Sequence, residues 1–203
     1  MDRATWIAAQ RRTPDPAMIA GSAPLLHTER LTLGPYALAG YERLCAVYAT
    51  ERSRYVGGPL PPDEVWQNMA GGIGQWPLLG LGTWMITQRD TGAPVGEVAV
   101  SWPPRFPEPE IGWVLFDGQE GKGYALEAAT AARDWGIRLR KVPTLVSYVD
   151  ENNLASQRLC ERLGGVRDLT AATPNGDPCW VYRYDIGNSA AQPDIAAPSE
   201  DVT

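Results

Sequence analysis

The sequence of 203 residues has only one histidine, His27, and only three cysteines. Ser/His/Asp triads, Cys/His dyads and many zinc sites need histidine, so any of these would have to use His27. The cysteines, Cys45, Cys160 and Cys179, are odd in number and form no CxxC pair, which argues against a disulfide framework and a zinc ribbon. We therefore expect no metal site, a reducing compartment, and chemistry that depends on other side chains.

The sequence also lacks a signal for export or membrane insertion. Its N-terminal residues contain no apolar segment typical of a signal peptide. The uncharged stretch from Val65 to Gln88 contains five glycines and Pro77, a composition that favours a Gly-rich connector over a membrane span. The net charge of −6 argues against nucleic acid as the main partner. These absences predict a cytoplasmic protein whose partners are neither membranes nor nucleic acids.

Composition separates one folded region from two tails. Residues 13–24 and 187–203 are small, polar and Pro-containing, which predicts a flexible N-terminal tail at 1–24 and a disordered C-terminal tail at 187–203 around a domain at 25–186. Apolar patterns predict strands at 26–33, 84–87, 95–100, 110–116, 145–149 and 180–186. Helical spacing predicts helices at 35–49, 61–69 and 153–163, and one whose apolar stripe runs from Ala125 to Leu139. The predicted class is α+β.

A Gly-rich turn follows the strand at 110–116 and leads directly into a helix. It reads Glu120-Gly121-Lys122-Gly123-Tyr124-Ala125. The first N–H groups of a helix have no internal acceptor, and small residues let an anion approach them closely. The spacing matches neither a Walker loop nor GxGxxG. By itself the turn supports equally a phosphate-binding cradle and a flexible turn with glycine at the helix N-cap.

A second informative segment is VDENNLASQRLCERLGG, residues 149–165. Asn153 is a suitable N-cap for the helix that follows, and Gly164 a suitable end for it. Capping explains Asn153 when it is considered alone. It does not explain why this segment and the Gly-rich turn occur in this order in one chain.

Together the two segments resemble the GNAT superfamily of acyl-CoA N-acyltransferases, and within it the ribosomal-protein-alanine acetyltransferase (RimJ/RimL-like) branch. The resemblance covers about residues 26–185 and includes TERLTL and GTWMITQRDTGAPVGEVAV. It implies a GNAT fold, which is a mixed, mostly antiparallel sheet flanked by helices, with a splayed strand pair for the acyl-CoA. The chain departs from the family pattern at Glu120, which replaces Gln or Arg, at Gly165, which replaces Phe, and at Cys160, which replaces the acid Tyr of many relatives.

The resemblance also implies a coenzyme A site. The diphosphate would be bound by five successive backbone N–H groups, those of Gly121, Lys122, Gly123, Tyr124 and Ala125. The Lys122 side chain would lie near the phosphates. Glu120 would contribute its backbone while its side chain faces solvent. Pantetheine would pair with backbone near Val114 and Leu115, between the strands at 110–116 and 144–149, and Asn153 would form a hydrogen bond with it.

Acylation needs a neutral amine, whereas a lysine amine has a pKa of about 10.4 and an α-amine one of about 8. Because no histidine is suitably placed, the expected base is a carboxylate acting directly or through water. The resemblance implies an acidic residue at the start of the cofactor-facing strand, which makes Glu110 the first candidate, with a structural ion pair as its alternative role. Glu97, on the neighbouring strand, is the second candidate. Ser156 would protonate or hydrogen-bond the leaving thiolate, or else bond the helix end. Tyr148 is a weaker candidate, because a tyrosine in an interior strand is more often part of the core.

The predicted activity is acetyl-CoA-dependent N-acetylation of a primary amine, either a protein N-terminus or a small molecule, by a monomer or homodimer. The alternative is a noncatalytic acyl-CoA-binding regulatory module, which the absent Tyr and the presence of Glu120 favour. The acidic chain weakly favours a cationic acceptor. Five tryptophans allow either an aromatic acceptor pocket or a core role: Trp66, Trp76, Trp84, Trp102 and Trp113.

Overall fold

The computed structural model describes residues 22–187, so most of both predicted tails, 1–24 and 187–203, lies outside the described residues. Near the start of the described residues, Ala23 is buried. The carbonyl of Pro24 accepts a hydrogen bond of 2.8 Å from Trp84 Nε1. Within the described residues, Ala23 and Pro24 therefore already contact the folded domain that was predicted for 25–186.

Residues 22–187 form one mixed sheet of eight strands with helices on both faces. The strands are β1 (Leu26–His27), β2 (Leu31–Gly34), β3 (Gly82–Gln88), β4 (Pro94–Ser101), β5 (Glu110–Leu115), β6 (Val146–Val149), β7 (Val166–Asp168) and β8 (Trp180–Arg183). The α-helices are α1 (Leu38–Tyr48), α2 (Pro62–Leu79), α3 (Tyr124–Asp134) and α4 (Leu154–Arg162). Two 3₁₀ segments, Glu51–Val56 and Pro174–Gly176, and a π-helical turn, Trp135–Leu139, complete the described elements. The predicted α+β class is confirmed.

The sheet order is β1-β2-β3-β4-β5-β6-β8-β7. All neighbouring strands are antiparallel except β5 and β6, which pair in parallel through Glu110 and Val146 and then diverge. Beyond that pair, the hydroxyl of Ser147 donates to the Ile111 carbonyl at 2.6 Å. The predicted splayed strand pair is thus confirmed, and its vertex lies at Glu110.

Each face of the sheet has its own apolar core. On one face the small residues Ala128, Ala129 and Ala132 of α3 let that helix lie close to Val98 and Ile111 of the sheet. On the opposite face α1 and α2 bury Leu44, Val47, Tyr48, Val65 and Met69 with Phe116. Burial of each Leu or Val side chain contributes roughly 1.5–3 kcal/mol. The two cores hold β4 and β5 between them.

Helix α2 is longer than the sequence pattern predicts, and the expected Gly-rich connector is wrong. Pro62 occupies the first turn with Asp63 and Glu64, as predicted, but the helix continues to Leu79. Gly72 permits close contact with β3, because a Cβ there would lie 2.5 Å from Thr83 Oγ1. Tertiary packing therefore outweighs the low helix propensity of the glycines. Within residues 22–187 no helix is both long and apolar enough to cross a bilayer.

Three smaller differences concern element boundaries. The first predicted strand is a hairpin of β1 and β2, in which Leu26 pairs with Leu33. The apolar stripe of α3 does not reach Leu139, whose exposed fraction is 62%, because the π-helical turn widens the helix and rotates its last residues away from the sheet. The sequence pattern also missed β7, a strand of three residues at the edge of the sheet.

Candidate active site

The Gly-rich turn forms the N-terminal end of α3. Gly121 and Gly123 have φ values of +75° and +82°, the left-handed region that glycine adopts most easily. The first bond of the helix joins the Glu127 N–H to the Gly123 carbonyl, so the N–H groups of Tyr124 and Ala125 precede it and point out of the helix end. A Cβ at Gly121 would meet no atom within 4 Å. Exposed amides, open space and the positive helix end fit a bound diphosphate.

The TERLTL motif meets this turn in space. Arg30 Nη1 donates to the Lys122 carbonyl at 3.0 Å, and Arg30 Nε donates to Glu127 Oε2 at 2.7 Å. The guanidinium also lies over the Tyr124 ring, 4.8 Å from its centroid. Burial acts to raise the pKa of Glu127, but hydrogen bonds from Thr28 and Arg30 outweigh it and lower the pKa. Sequence reasoning missed Arg30, although its place in a motif shared with the family was a usable signal.

Glu120 does not simply face solvent. Its carboxylate forms an ion pair with Arg52, which lies in the 3₁₀ segment Glu51–Val56 between α1 and α2. Arg52 also forms an ion pair with Asp117 and donates to the Leu115 carbonyl at 3.4 Å. Lys122 is exposed, with Nζ 3.3 Å from Gln119 Oε1. The acidic substitution in the family signature therefore has a cationic partner from a distant part of the chain.

Strand alternation decides which backbone groups of β5 face the gap between β5 and β6. Val114 pairs with Glu97 of β4, and the Phe116 N–H donates to the Val95 carbonyl. The Ile111 carbonyl points the other way, toward Ser147 of β6. Backbone groups alternate along a strand, so those of Trp113 and Leu115 face the gap. Of the two residues predicted to pair with pantetheine, Leu115 lies at the gap, whereas the backbone of Val114 belongs to the ladder with β4.

Asn153 and Ser156 lie together at the start of α4. Asn153 is the N-cap, and its side-chain oxygen accepts a hydrogen bond of 3.2 Å from the Ser156 N–H. The cap uses the amide oxygen of Asn153 and leaves its NH₂ group available as a donor. Both residues are half-buried. Cys160, one turn further along, is fully buried against Val149 and Tyr182, as predicted for a core residue.

Two carboxylates lie on the face of the sheet that α1 and α2 cover. Glu97 of β4 is opposite Val114, and Glu110 of β5 is opposite Ser101. Burial raises the pKa of Glu97 to about 7, against the opposing effect of a 2.9 Å hydrogen bond from the Tyr36 hydroxyl. Burial also raises the pKa of Glu110 to about 7, against the backbone amide of Tyr148 and the charge of Arg105. Each carboxyl group can therefore take up and release a proton near neutral pH.

Glu110 has the better position for chemistry at the gap. It lies at the vertex of the splay, whereas Glu97 is level with Val114, four residues or about 13 Å further along β5 toward the Gly-rich turn. A Cβ built on Gly112 would have the Glu110 carboxylate as its nearest neighbour, at 3.7–4.0 Å. The carboxylate thus lies beside a residue that has no side chain to cover it. Tyr148 is a weaker acid than a free tyrosine, because burial raises its pKa, although its hydroxyl only accepts a hydrogen bond of 3.2 Å from the Glu108 N–H and keeps its own proton to donate.

The tryptophans divide between core and surface. Trp76 and Trp84 are buried, with ring centroids 4.5 Å apart, and both pack against Trp135. For these two residues the core role is confirmed, and the strand register turns Trp84 toward α3, away from the face that carries the carboxylates. Trp66 is 48% exposed and packs edge-on against Tyr41, and Trp102 and Trp113 are half-buried.

His27 lies on the exposed surface, with Nδ1 3.1 Å from Thr32 Oγ1. This position matches the surface role expected from the sequence. Among residues 22–187 no group of three or more His, Cys, Asp or Glu side chains is arranged to hold a metal ion.

Comparisons with known proteins identify the family. The profile of the acetyltransferase (GNAT) domain matches residues 30–166. A solved acetyltransferase from Agrobacterium tumefaciens strain C58 is 41% identical, covers 81% of this chain and 95% of that chain, and superposes with a TM-score of 0.77. RimL, a ribosomal L7/L12 α-N-protein acetyltransferase solved in complex with coenzyme A, is 16% identical over 79% of this chain and 96% of that chain, with a TM-score of 0.62. At that identity the likeness to RimL shows the fold alone.

Curated relatives match over shorter segments. The uncharacterized N-acetyltransferase YnaD of Bacillus subtilis is 31% identical over 80 residues, which are 38% of this chain and 47% of YnaD. The chain thus spans about half the length of the first curated relatives it matches. The GNAT fold expected from the motifs is confirmed by the matched domain and by the solved structures, and the chain belongs to the GNAT acetyltransferase family.

Proposed function

We propose that this protein is an acetyl-CoA-dependent N-acetyltransferase that acts on a primary amine. The family uses acetyl-CoA as its acyl donor, and the Gly-rich turn and the open side of β5 are suited to hold it. The observation that carries the proposal is the Glu110 carboxylate, which lies at the vertex of the splayed strands with a pKa raised by burial to about 7. An amine acceptor must lose a proton to react, and a carboxylate with a pKa near 7 can accept that proton.

The donor contributes an activated acetyl group in a thioester. The amides of Gly121 to Ala125 would hold the diphosphate, and the gap-facing groups of Trp113 and Leu115 would pair with the pantetheine arm. The NH₂ group of Asn153 would donate to the same arm. These roles use groups that the fold leaves without a partner in the strand ladder or in the helix.

Glu110 would take the proton that the acceptor amine loses, directly or through water. With a pKa of about 7 it is mostly ionised above neutral pH and can accept that proton. The hydroxyl of Ser156 would hydrogen-bond the leaving sulfur. Glu97 is the alternative base, and its greater distance from the vertex makes it the weaker one.

The acceptor and the cellular setting belong to the same proposal. We favour a protein N-terminus or a cationic small amine, in keeping with the RimJ/RimL-like motifs and the net charge of −6. We also propose that the protein is cytoplasmic and that it is a monomer or a homodimer.

The deciding experiment measures release of free thiol from acetyl-CoA in the presence of amines. The panel contains peptides with a free N-terminal Ala or Ser, the same peptides with a blocked N-terminus, an aminoglycoside, and a small diamine. We expect release with at least one free amine and none with the blocked peptides. Binding of coenzyme A in a thermal-shift assay without turnover on any amine would instead support a noncatalytic acyl-CoA-binding module.

A further inference from the structure

Arg52 connects two parts of the molecule that are far apart in sequence. It belongs to the 3₁₀ segment between α1 and α2, which cover the carboxylate-bearing face of the sheet. Its guanidinium nevertheless reaches the loop after β5, where it forms ion pairs with both Asp117 and Glu120. One of its nitrogens also lies 3.4 Å from the Leu115 carbonyl, at the end of the gap. Arg52 therefore occupies the junction between the gap and the Gly-rich turn.

The charge of Glu120 calls for such a partner. Glu120 immediately precedes the amides from Gly121 to Ala125, which would hold a diphosphate. A carboxylate without a counter-ion at this position would repel that anion, and the low dielectric of the nearby protein would strengthen the repulsion. The side chains of Arg52 and Glu120 are 40% and 49% exposed, so water weakens the interaction without removing it.

We propose that Arg52 is a positioning residue for the acyl donor, because it offsets the charge of Glu120 and holds that carboxylate aside from the diphosphate site. The inference rests on the proposed function, since it assumes that the Gly-rich turn binds coenzyme A. Because Arg52 acts through Glu120, removing Arg52 should weaken coenzyme A binding only when Glu120 is present.

A double-mutant comparison tests this dependence. Titration calorimetry measures the Kd of coenzyme A for the wild type, R52A, E120Q and R52A/E120Q. We expect R52A to weaken binding about tenfold, and R52A/E120Q to bind within about threefold of E120Q. The matched control is R52A/D117N, which removes the other acidic partner of Arg52 and leaves Glu120 uncompensated. We expect that variant to remain as weak as R52A.

Two further measurements distinguish charge compensation from a structural role. Pantetheine lacks the phosphates, so R52A should bind it as the wild type does. The loss of coenzyme A affinity in R52A should also shrink in about 1 M salt, where the Debye length falls to about 3 Å. Thermal unfolding of each variant checks that the fold is retained, and R52Q replaces R52A if the alanine variant does not fold.

Four results would overturn the proposal: normal coenzyme A binding by R52A, equal loss from R52A with and without Glu120, equal rescue by D117N and E120Q, or equal weakening of pantetheine and coenzyme A. A wild-type protein that binds no coenzyme A would refute the proposed function. If the wild type binds coenzyme A tightly and R52A binds it equally well, only the role of Arg52 is refuted. The two failures are therefore distinguishable.

Discussion

Two glutamates on the same face of the sheet differ mainly in what surrounds them. Glu97 accepts a hydrogen bond from Tyr36 and lies level with the middle of the gap. Glu110 lies at the vertex beside Gly112, where the missing side chain leaves the carboxylate uncovered. Because burial raises the pKa of both to about 7, proton affinity does not separate them and position does.

The first prediction concerns these two residues. E110Q removes the proton acceptor and should lower kcat by about 10²- to 10³-fold on the amine that the wild type uses. The kcat/KM of the wild type should rise with pH through about 7 as Glu110 loses its proton, and E110Q should lack this rise. Steady-state kinetics between pH 5.5 and pH 8.5 would measure both effects. This range extends about 1.5 pH units below and above the pKa of Glu110.

E97Q is the matched control for that experiment. It removes a second buried carboxylate from the same face and should keep the pH-dependent rise. A larger loss of kcat in E97Q than in E110Q would assign the base to Glu97 and contradict the choice made from position.

The second prediction concerns the single histidine. His27 lies on β1, four strand spacings or about 19 Å from β5 in the sheet order, and its ring is exposed. H27A should therefore keep kcat and KM within about twofold of the wild type, a range typical of surface changes. A large loss of kcat would show that histidine takes part in proton transfer, contrary to the carboxylate mechanism.

At the scale of the element, the end of α3 is shaped by its glycines and by Arg30. Gly123 combines a φ of +82° with a tight neighbour, because a Cβ there would lie 3.3 Å from Arg30 Nη2. Arg30 in turn is held by Glu127 of the first turn of α3. The Gly-rich turn and the TERLTL motif thus form one structural unit, in which the arginine supports the loop that would bind the diphosphate.

The third prediction tests this unit with G123D. The side chain adds about 1–2 kcal/mol of backbone strain and a negative charge at the proposed diphosphate site. The Kd for coenzyme A, measured by calorimetry, should rise more than tenfold. G92D is the control, since Gly92 has a φ of +69° in the turn between β3 and β4 and would carry similar strain elsewhere. If G123D bound coenzyme A like G92D, the diphosphate site would have to be placed elsewhere.

At the scale of the whole molecule, the two faces of the sheet carry out different tasks. The face under α3 holds the aromatic cluster of Trp76, Trp84 and Trp135 and the small residues of that helix. The opposite face carries Glu97 and Glu110. The candidate bases therefore lie on a different face from the aromatic cluster, because strand alternation sends neighbouring residues of β4 and β5 to opposite sides.

The fourth prediction follows from this separation. Trp84 is fully buried, so W84A should lower the free energy of unfolding by about 3–5 kcal/mol in urea denaturation. W66A removes a ring that is 48% exposed and should cost less than about 1 kcal/mol. Equal effects of the two changes would contradict the division between core and surface tryptophans.

Elements with strong local signals were predictable from the sequence. The alternation in 84–87 and 95–100 predicted β3 and β4, and the Asn153 cap with the Gly164 end predicted α4, because these patterns depend on neighbouring residues. Helix α2 was predicted only to Met69, since its later turns contain glycines and a proline and are stabilised by contacts with β3. The strand β7 has three residues and no periodicity long enough to recognise.

The sequence by itself determined the family and the position of the Gly-rich turn, and it put Glu110 first among the candidate bases. The turn is recognisable because a helix start is encoded within a few residues, whereas the family and the choice of Glu110 came from the resemblance of several such motifs to a known family. Only the tertiary structure decided that both glutamates are partly buried, with raised pKa values, and that Arg52 meets Glu120 across 68 residues of chain. Desolvation and ion pairing depend on which distant segments pack together, and no short stretch of sequence contains that information.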